Sequence, residues 1–361
     1  MKSNDYIYIS SVNESRGNKM LAEIGLKGGS ITRLQFNDED KLWQNPTKVW
    51  PRKEKLDRGM SNQPSPILFP SAGSLKNLKE YDDGTFTKKE AGNKHGYLID
   101  DIFYFDNTTG YFYNGKFYPM SKHGFARLCK FNLIEYSNDR CVLRLDSSYK
   151  TLKYFPFNFK LDVMYKMVDY GIDIEYKLKN TGNEILPFNI GDHPGFALKK
   201  PVENYYLEFD NNKNAYAEYL DINGIKKVVY VDEDNRLGLN REMFSDKKDA
   251  VRLYNIDAKK VSLCDKANFG MKKPEVIYDI DSDSLVLWSA DPDGLLCIEP
   301  WYAKKGLFSD IEANIKNGNI KTLKPNEEFS YKRRMRFPDE EYAYKSMVTK
   351  DALTKRLTYS K

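Results

Sequence analysis

The sequence predicts an all-β protein, folded as a large antiparallel β-sandwich. Short runs of alternating apolar and polar residues recur along the chain, with Gly, Asn and Asp clusters between them. Patterns long enough for extended helices are nearly absent. Aromatic residues make up 14% of the 361 residues, and such side chains suit a half-buried pleated surface. At this size an all-β sandwich can form one domain.

The clearest strand pattern lies at residues 172–179, where apolar residues alternate with charged ones. A turn follows at 180–183, and residues 185–190 resume the apolar pattern, which predicts an antiparallel hairpin. The same alternation predicts further strands at residues 6–10, 20–24, 30–36, 101–105, 141–146, 159–165, 205–209, 275–280, 284–288, 295–299 and 328–337. These strands, separated by turn residues, are the elements of the predicted sandwich.

Residues 1–337 are predicted to form a single domain. The stretch at about 76–100 is rich in Lys, Asp and Gly with weak periodicity, which indicates an inserted loop. Residues 338–361 change in composition and are interpreted as a C-terminal tail, either a short helix or an extension. The basic run 331–337 is interpreted as an outward-facing edge strand with solubilising charge, rather than a nucleic-acid patch.

Composition excludes several classes of protein. There are 57 Lys and Arg against 52 Asp and Glu, a net charge of +5, so no nucleic-acid partner is expected. The first residues lack an apolar signal region, and no apolar run approaches the ~20 residues that span a bilayer. We therefore expect no membrane association. Four cysteines without a CxxC pair are expected to be buried thiols in a cytoplasmic setting, namely Cys129, Cys141, Cys264 and Cys297.

Residues with useful chemistry concentrate in five segments that are dense in Gly, Pro and aromatics. These are 42–46 with Trp50, 66–73, 118–127, 191–196, and 287–288 with 297–301. They contain His123, His193 and all four tryptophans. Functional residues favour loops at the ends of strands on a rigid scaffold. The spacing of the three histidines supports no zinc motif, so no metal is expected.

Glu299 is the most informative carboxylate. It ends the apolar run 295–298, and a carboxylate at the end of a buried strand is costly unless it is hydrogen-bonded or functional. Two histidines, a glutamate, an arginine and Trp rings would together make a sugar site with an acid and a base. A lone histidine is more often structural, and composition alone does not show that the segments converge.

Six motifs occur in an order that resembles the aldose 1-epimerase (galactose mutarotase-like) family, most closely its LacX-like branch. They are Trp43-Gln44, Pro-Ile-Leu-Phe-Pro at 66–70, His-Gly-Phe-Ala-Arg at 123–127, Phe-Pro-Phe at 155–157, Gly-Asp-His-Pro-Gly-Phe at 191–196 and Glu-Pro-Trp at 299–301. The resemblance runs from about residue 20 to 337. It implies a β-supersandwich fold and interconversion of the α and β anomers of an aldose.

The resemblance also implies roles for individual residues, without a metal or organic cofactor. Glu299 matches the base that removes the proton from the C1 hydroxyl. His193 matches the acid that protonates the ring oxygen, and His123 matches the second histidine, which binds sugar oxygens. Arg127 and Trp301 belong to the matching motifs and are expected to contact the substrate.

Two departures from the family pattern concern the substrate-binding residues. The family usually has Gly-Arg where this chain has Gly73-Ser74, so Ser74 stands where a sugar-binding cation is expected. The candidates to replace that cation are Lys76, Lys122 and Arg127. Asp192 stands where the family often has a small or aromatic residue, and it either orients its neighbour or faces solvent; both Asp192 and Ser74 are retained as expected substrate-binding residues.

The leading hypothesis is a cytoplasmic aldose 1-epimerase acting on a hexose, as a monomer or homodimer. One alternative is a hexose-phosphate 1-epimerase. A second is a non-catalytic carbohydrate-binding or regulatory protein on the same fold, which the missing arginine motivates. A third is a glycoside hydrolase, which needs two facing carboxylates.

Overall fold

The computed structural model describes the greater part of the chain. The described residues are 5–13, 17–44, 63–77, 97–99, 102–104, 109–211, 214–245, 250–268, 273–303 and 308–338. Most of the predicted insert at 76–100 lies outside them, as does the predicted tail at 338–361. The boundaries of both therefore remain predictions.

Most regular elements among the described residues are strands. The first are β1 (Tyr6–Val12), β2 (Lys19–Gly25), β3 (Ile31–Phe36), β4 (Glu39–Asp40), β5 (Ile67–Leu68), β6 (Lys76–Asn77), β7 (Tyr97–Ile99), β8 (Ile102–Tyr104), β9 (Thr109–Tyr113) and β10 (Lys116–Pro119). The next are β11 (Asn132–Tyr136), β12 (Arg140–Asp146), β13 (Phe159–Val168), β14 (Gly171–Asn180), β15 (Leu186–Phe188), β16 (Ile190–Asp192), β17 (Gly195–Ala197) and β18 (Tyr205–Phe209). The last are β19 (Tyr216–Leu220), β20 (Lys226–Tyr230), β21 (Arg236–Gly238), β22 (Val251–Tyr254), β23 (Lys260–Asp265), β24 (Val276–Asp279), β25 (Ser284–Trp288), β26 (Leu295–Tyr302), β27 (Lys321–Leu323) and β28 (Glu328–Arg336).

Helices in this part of the chain are short. The α-helices are α1 (Tyr149–Leu152) and α2 (Ile311–Lys316), and 3₁₀ turns lie at Ala126–Leu128, Val202–Asn204, Arg241–Phe244, Lys266–Asn268 and Phe308–Asp310. None of these described helices has the length and apolar character needed to cross a membrane.

Two large sheets form the frame. One has the strand order β11-β12-β13-β14-β28-β24-β23-β18-β21, and the other has the order β20-β19-β22-β25-β26-β16-β5 with β17 also paired to β26. Every pairing between these strands is antiparallel. The described residues also form smaller sheets of two to four strands. The predicted all-β, antiparallel sandwich is confirmed.

The two large sheets pack face to face around one core. Leu296 and Ile298 of β26 belong to the same buried cluster as Ile174 of β14, and the ring of Phe196 on β17 lies 5.6 Å from that of Tyr278 on β24. Fully burying each such side chain contributes about 1.5–3 kcal/mol. This core holds the opposite face of β26 in a fixed position, and that face carries the site described below.

Most strands that the alternation predicts are present within a few residues of their predicted ends, but two interpretations are wrong. The predicted hairpin does not form, because β14 pairs with β13 and β28 whereas β15 pairs with β27. The basic run 331–337 is not an edge strand, since β28 lies between β14 and β24 in the middle of the sheet. Its alternation turns Arg333 into the core, where it is fully buried.

Candidate active site

Strand β26 presents a row of reactive side chains on one face. Side chains alternate along a strand, so Cys297, Glu299 and Trp301 point to the side opposite Leu296 and Ile298, which pack in the core. Glu299 is buried, with 1% of its surface exposed. A buried carboxylate needs a partner close by.

His193 is that partner. It lies between β16 and β17, which both pair with β26: Gly191 is opposite Trp301, and Gly195 is opposite Cys297. The pairings before and after His193 have the same register, so His193 lies directly across from Glu299. The imidazole Nε2 is 3.2 Å from Glu299 Oε1. Two adjacent strands thus fix a titratable pair with little freedom to separate.

Gly191 makes room for the neighbouring tryptophan. A Cβ added at Gly191 would lie 2.6 Å from Cδ1 of Trp301 and 3.1 Å from its Cα. Because the second contact is with backbone, a side-chain rotation alone would not relieve it. The absence of a side chain at this position therefore sets where the indole lies beside Glu299.

We expect Gly191→Ala to destabilise the fold by about 1–3 kcal/mol, the usual cost of overpacking, and to shift the tryptophan fluorescence. Urea unfolding followed by fluorescence measures both effects. Gly238→Ala is the matched control, because Gly238 is also a strand glycine and a Cβ there meets nothing within 4 Å. Equal stability of the two variants would contradict tight packing between Gly191 and Trp301.

His123 approaches the pair from a turn. Its φ is +67°, which is uncommon for a residue with a side chain. The backbone N–H of Gly73 donates to His123 Nδ1 at 3.1 Å, and the N–H of His123 donates to the Gly73 carbonyl at 3.0 Å. Since Nδ1 accepts, the neutral ring carries its proton on Nε2. The His123 ring lies 5.5 Å from His193 and 5.8 Å from Trp301.

Aromatic rings line the rest of this face. The ring of Trp288 lies 5.9 Å from His193, and Trp288 is paired with Cys297 across β25 and β26. Trp43 packs in the same small cluster, with Leu295, Cys297 and Trp288. Apolar ring bodies with N–H groups at their edges are suited to a ligand that has both apolar faces and hydroxyls. Trp50 lies outside the described residues.

Electrostatics favour the neutral forms of the central pair. Burial raises the pKa of Glu299 to about 8, and Lys122 and the Trp301 indole act against that rise. Burial lowers the pKa of His193 to about 3, and Lys122 and Arg127 lower it further. Because the groups are in contact, these values describe the pair rather than either residue. At neutral pH the pair holds one titratable proton between a carboxyl group and an imidazole.

The structure separates the three candidate replacements for the missing cation. Lys122 and Arg127 lie close enough to His193 to lower its pKa, and Arg127 is buried, with Nη2 donating to the Lys122 carbonyl at 3.2 Å. Lys76 instead contacts Asp310, at 2.6 Å between Nζ and Oδ1. Positive charge beside the pair therefore comes from Lys122 and Arg127.

Ser74 lies on the loop that is bonded to His123. Its neighbour Gly73 is close to the indole of Trp301, since a Cβ at Gly73 would lie 3.6 Å from Cζ3. Ser74 is partly buried. The Gly73-Ser74 loop thus lies beside His123 and Trp301, with a short hydroxyl side chain where the resemblance predicts an arginine.

Asp192 is not brought to this cluster, contrary to the expectation that it contacts the substrate. Alternation along the extended segment turns it to the opposite face from His193, and only 2% of its surface is exposed. Tyr176 OH donates to its Oδ1 at 2.5 Å, and Arg333 Nε donates to its Oδ2 at 3.2 Å. It therefore does not face solvent, and its contacts are in the core behind the pair.

One residue of the cluster, Cys297, was predicted only to be a buried thiol, and it is buried. Cys297 lies on the same face as Glu299, beside His193 and Trp288. The signal for it was available, because residues two apart in a strand share a face. The sequence predicts the same buried environment for all four cysteines, so it does not single out Cys297 as a possible ligand.

Comparison with known proteins assigns the chain to a family. Residues 96–336 match the aldose 1-epimerase family. The chain is similar to the plasmid-encoded protein LacX of Lactococcus lactis subsp. lactis, with 24% identity over 310 residues, covering 82% of this chain and 87% of the relative.

Solved structures show the same fold. One is the galactose mutarotase related enzyme from Lactobacillus acidophilus, with a TM-score of 0.67, 22% identity and coverage of 93% of this chain and 98% of that one. Another is a galactose mutarotase-like protein from Lactobacillus casei ATCC 334, with a TM-score of 0.65, 21% identity and coverage of 92% and 100%. With more than half of its length matched, the chain belongs to the aldose 1-epimerase family and has the galactose mutarotase-like fold.

Proposed function

We propose that the protein is an aldose 1-epimerase that interconverts the α and β anomers of a hexose. The observation that carries the proposal is the buried pair of Glu299 and His193, with Nε2 and Oε1 3.2 Å apart. Opening a hemiacetal ring removes a proton from the C1 hydroxyl and adds one to the ring oxygen. Both oxygens are bonded to C1, so the acid and the base must lie side by side, as these two groups do.

In the mechanism that we propose, Glu299 takes the C1 hydroxyl proton while His193 donates a proton to the ring oxygen. The bond between C1 and the ring oxygen breaks, the C1–C2 bond rotates, and closure on the other face reverses both transfers. The pair ends with the single proton with which it began. When the pair is neutral, its single proton lies on the Glu299 carboxyl. Glu299 then donates to the ring oxygen and His193 accepts the C1 hydroxyl proton, which gives the same exchange.

The neighbouring residues are proposed to hold the sugar. The Nε2–H of His123 is a donor for a sugar oxygen, because Nδ1 already accepts from Gly73. Trp301 is buried beside the pair, and its Nε1 makes no hydrogen bond of ordinary geometry with the described residues. Positioning together with acid–base help of about 10²–10⁴-fold per group suits a reaction that already proceeds slowly in water.

The direct test is anomer exchange by the purified wild-type protein. Freshly dissolved α-glucose and α-galactose are followed by polarimetry, and two-dimensional NMR exchange measures the rate at equilibrium. We expect enzyme-dependent exchange for at least one aldohexose. A broad panel of aldoses and their phosphates with no exchange above the buffer rate would refute the enzymatic proposal.

A hexose-phosphate 1-epimerase is the second candidate. Lys122 and Arg127, two cations beside the pair, favour it, because a phosphate group binds where positive charge is held in place. The same panel decides the question. A higher kcat/KM for hexose 6-phosphates would support this substrate class, and a preference for the free hexose would oppose it.

The non-catalytic alternatives are tested by binding. A carbohydrate-binding protein would bind sugar in calorimetry without anomer exchange and without loss on His193→Ala. A glycoside hydrolase needs a second carboxyl group about 5–9.5 Å away across the bond. Asp192, the acidic residue next to His193 in the sequence, is turned into the core. Hydrolysis of a chromogenic glycoside would restore that hypothesis.

We expect exchange activity to stay nearly level from about pH 5 to 7.5 and to fall above about pH 8. The pair needs its one proton, which the carboxyl keeps until its raised pKa of about 8 is passed. On the acid side the lowered pKa of His193 keeps the imidazole neutral far below its ordinary range. The measurement is kcat/KM against pH, corrected for the buffer rate.

Unshifted groups would give a different profile. An ordinary glutamate and histidine would give a bell centred near pH 5.5 that falls by about fivefold between pH 6.5 and 7.5. Such a fall would contradict the neutral pair. In Lys122→Met the alkaline fall should move to higher pH, because Lys122 lowers the pKa of Glu299.

We also propose a cytoplasmic location. All four cysteines are buried and in no disulfide. Buried reduced thiols are typical of proteins in a reducing compartment.

A further inference from the structure

The buried pair has a third potential ligand for a metal ion. Ligand atoms of His193, Cys297 and Glu299 all lie within 4.8 Å of one another. All three residues are buried, with 8%, 0% and 1% of their surfaces exposed. The proposed sugar chemistry uses only two of them.

The backbone holds these donors together. Cys297 and Glu299 are two residues apart on one face of β26, and β26 is paired on both sides. His193 projects from the neighbouring chain segment, directly across from Glu299. Since each donor lies on or beside a paired strand, bringing them together requires no loop to fold.

The donor set fits a thiophilic divalent cation. One thiolate and one carboxylate with a neutral imidazole carry a charge of −2, so a divalent ion makes the buried complex electrically neutral. Imidazole, thiolate and carboxylate are the ordinary ligands of zinc. Bonds of about 2.0–2.3 Å place tetrahedral ligands roughly 3.3–3.7 Å apart, so the donors need to close by about 1 Å.

We propose that His193, Cys297 and Glu299 form an inhibitory site for Zn²⁺ or Co²⁺. Two protons pass to solvent as the ion binds, the thiol proton of Cys297 and the single proton of the Glu299–His193 pair. The inhibition rests on the proposed function, because the ion occupies both members of the acid–base pair. The charges of Lys122 and Arg127 oppose the ion and make the site weaker than a structural zinc site.

The test uses the full-length, reduced, metal-free protein titrated with Co²⁺. We expect a thiolate-to-cobalt charge-transfer band that saturates at one ion per chain and disappears when Zn²⁺ is added. Cys297→Ser should lose the band. Cys264→Ser should keep it, since Cys264 is another buried thiol on a different strand. A band that survives in Cys297→Ser, or none in wild type, overturns the proposal.

Two further measurements keep the test decisive. Zn²⁺ should slow alkylation of Cys297 in the wild-type protein near the urea midpoint, where unfolding exposes this buried thiol. Peptide mass spectrometry measures the rate and needs no variant. Zn²⁺ should also abolish anomer exchange over the concentration range of the spectroscopic titration. If wild type lacks anomer exchange but shows the Co²⁺ band, the proposed function fails and the metal site stands. If wild type shows exchange that Zn²⁺ does not affect and has no Co²⁺ band, the metal site fails and the proposed function stands.

Discussion

Glu299→Gln is expected to lower kcat/KM for anomer exchange by about 10²–10⁴-fold, the contribution of one acid–base group. The amide has nearly the same shape as the carboxyl group, but it neither accepts nor releases a proton. The oxygen and nitrogen of the new side chain still reach His193, so sugar binding should change little. NMR exchange at saturating sugar measures kcat, and calorimetry measures binding.

The same variant should gain stability relative to wild type as the pH rises. Burial raises the pKa of Glu299 in the folded protein above its unfolded value. Stability from such a group is fully present below the unfolded pKa and is lost as the pH rises through the folded one, here between about pH 4.5 and 8. Glutamine does not titrate, so the difference in unfolding free energy between variant and wild type should grow in the variant's favour across this window.

Together the two measurements separate catalysis from folding. A functional group that is costly to bury loses activity and gains stability when it is neutralised. Glu328→Gln is the matched control, because Glu328 is an exposed glutamate at the start of β28, and it should change neither. Loss of activity together with loss of stability at pH 8 would show that Glu299 is structural.

Local alternation explains how much of the fold was predictable. The predicted ends of strands such as β25 and β18 match the structure to the residue, because apolar residues at every second position identify a strand within a short stretch of sequence. Strand order is not local. Whether β14 pairs with residues 185–190 or with β28, some 150 residues later in the chain, depends on contacts that no short window contains.

For the candidate site, too, the residues could be predicted from the sequence but their distances could not. Its ordered motifs named Glu299, His193, His123 and Trp301, and the structure places these four together. Their distances follow from the register between β26 and the strands beside it, which sequence alone does not give. The alternation around Asp192 did carry a signal, because adjacent residues of an extended segment face opposite sides. That signal argues against placing Asp192 among the substrate-binding residues, and it is compatible with the alternative that Asp192 orients its neighbour.

Asp192 instead belongs to a buried ion pair that joins the two large sheets behind the site. Arg333 on β28 is fully buried, and its Nε donates to Asp192 Oδ2 at 3.2 Å. The guanidinium lies 4.8 Å from the ring of Tyr331 and 5.0 Å from that of Tyr302. Tyr176 OH donates to the other carboxylate oxygen. Because Asp192 precedes His193 directly, this contact anchors the segment that carries the imidazole.

Arg333→Met should destabilise the protein by about 3–5 kcal/mol, because removing one member of a buried pair leaves the other charge uncompensated. Arg334→Met is the matched control: Arg334 is the next residue, but it pairs with Asp173 at the partly exposed surface, where such a pair contributes at most about 1 kcal/mol. Urea unfolding gives both values. Adding Asp192→Asn to Arg333→Met should recover part of the loss, since no buried charge then remains. Equal effects of Arg333→Met and Arg334→Met, or a double variant less stable than Arg333→Met alone, would show that the charge of Arg333 is not what holds β16 against β28.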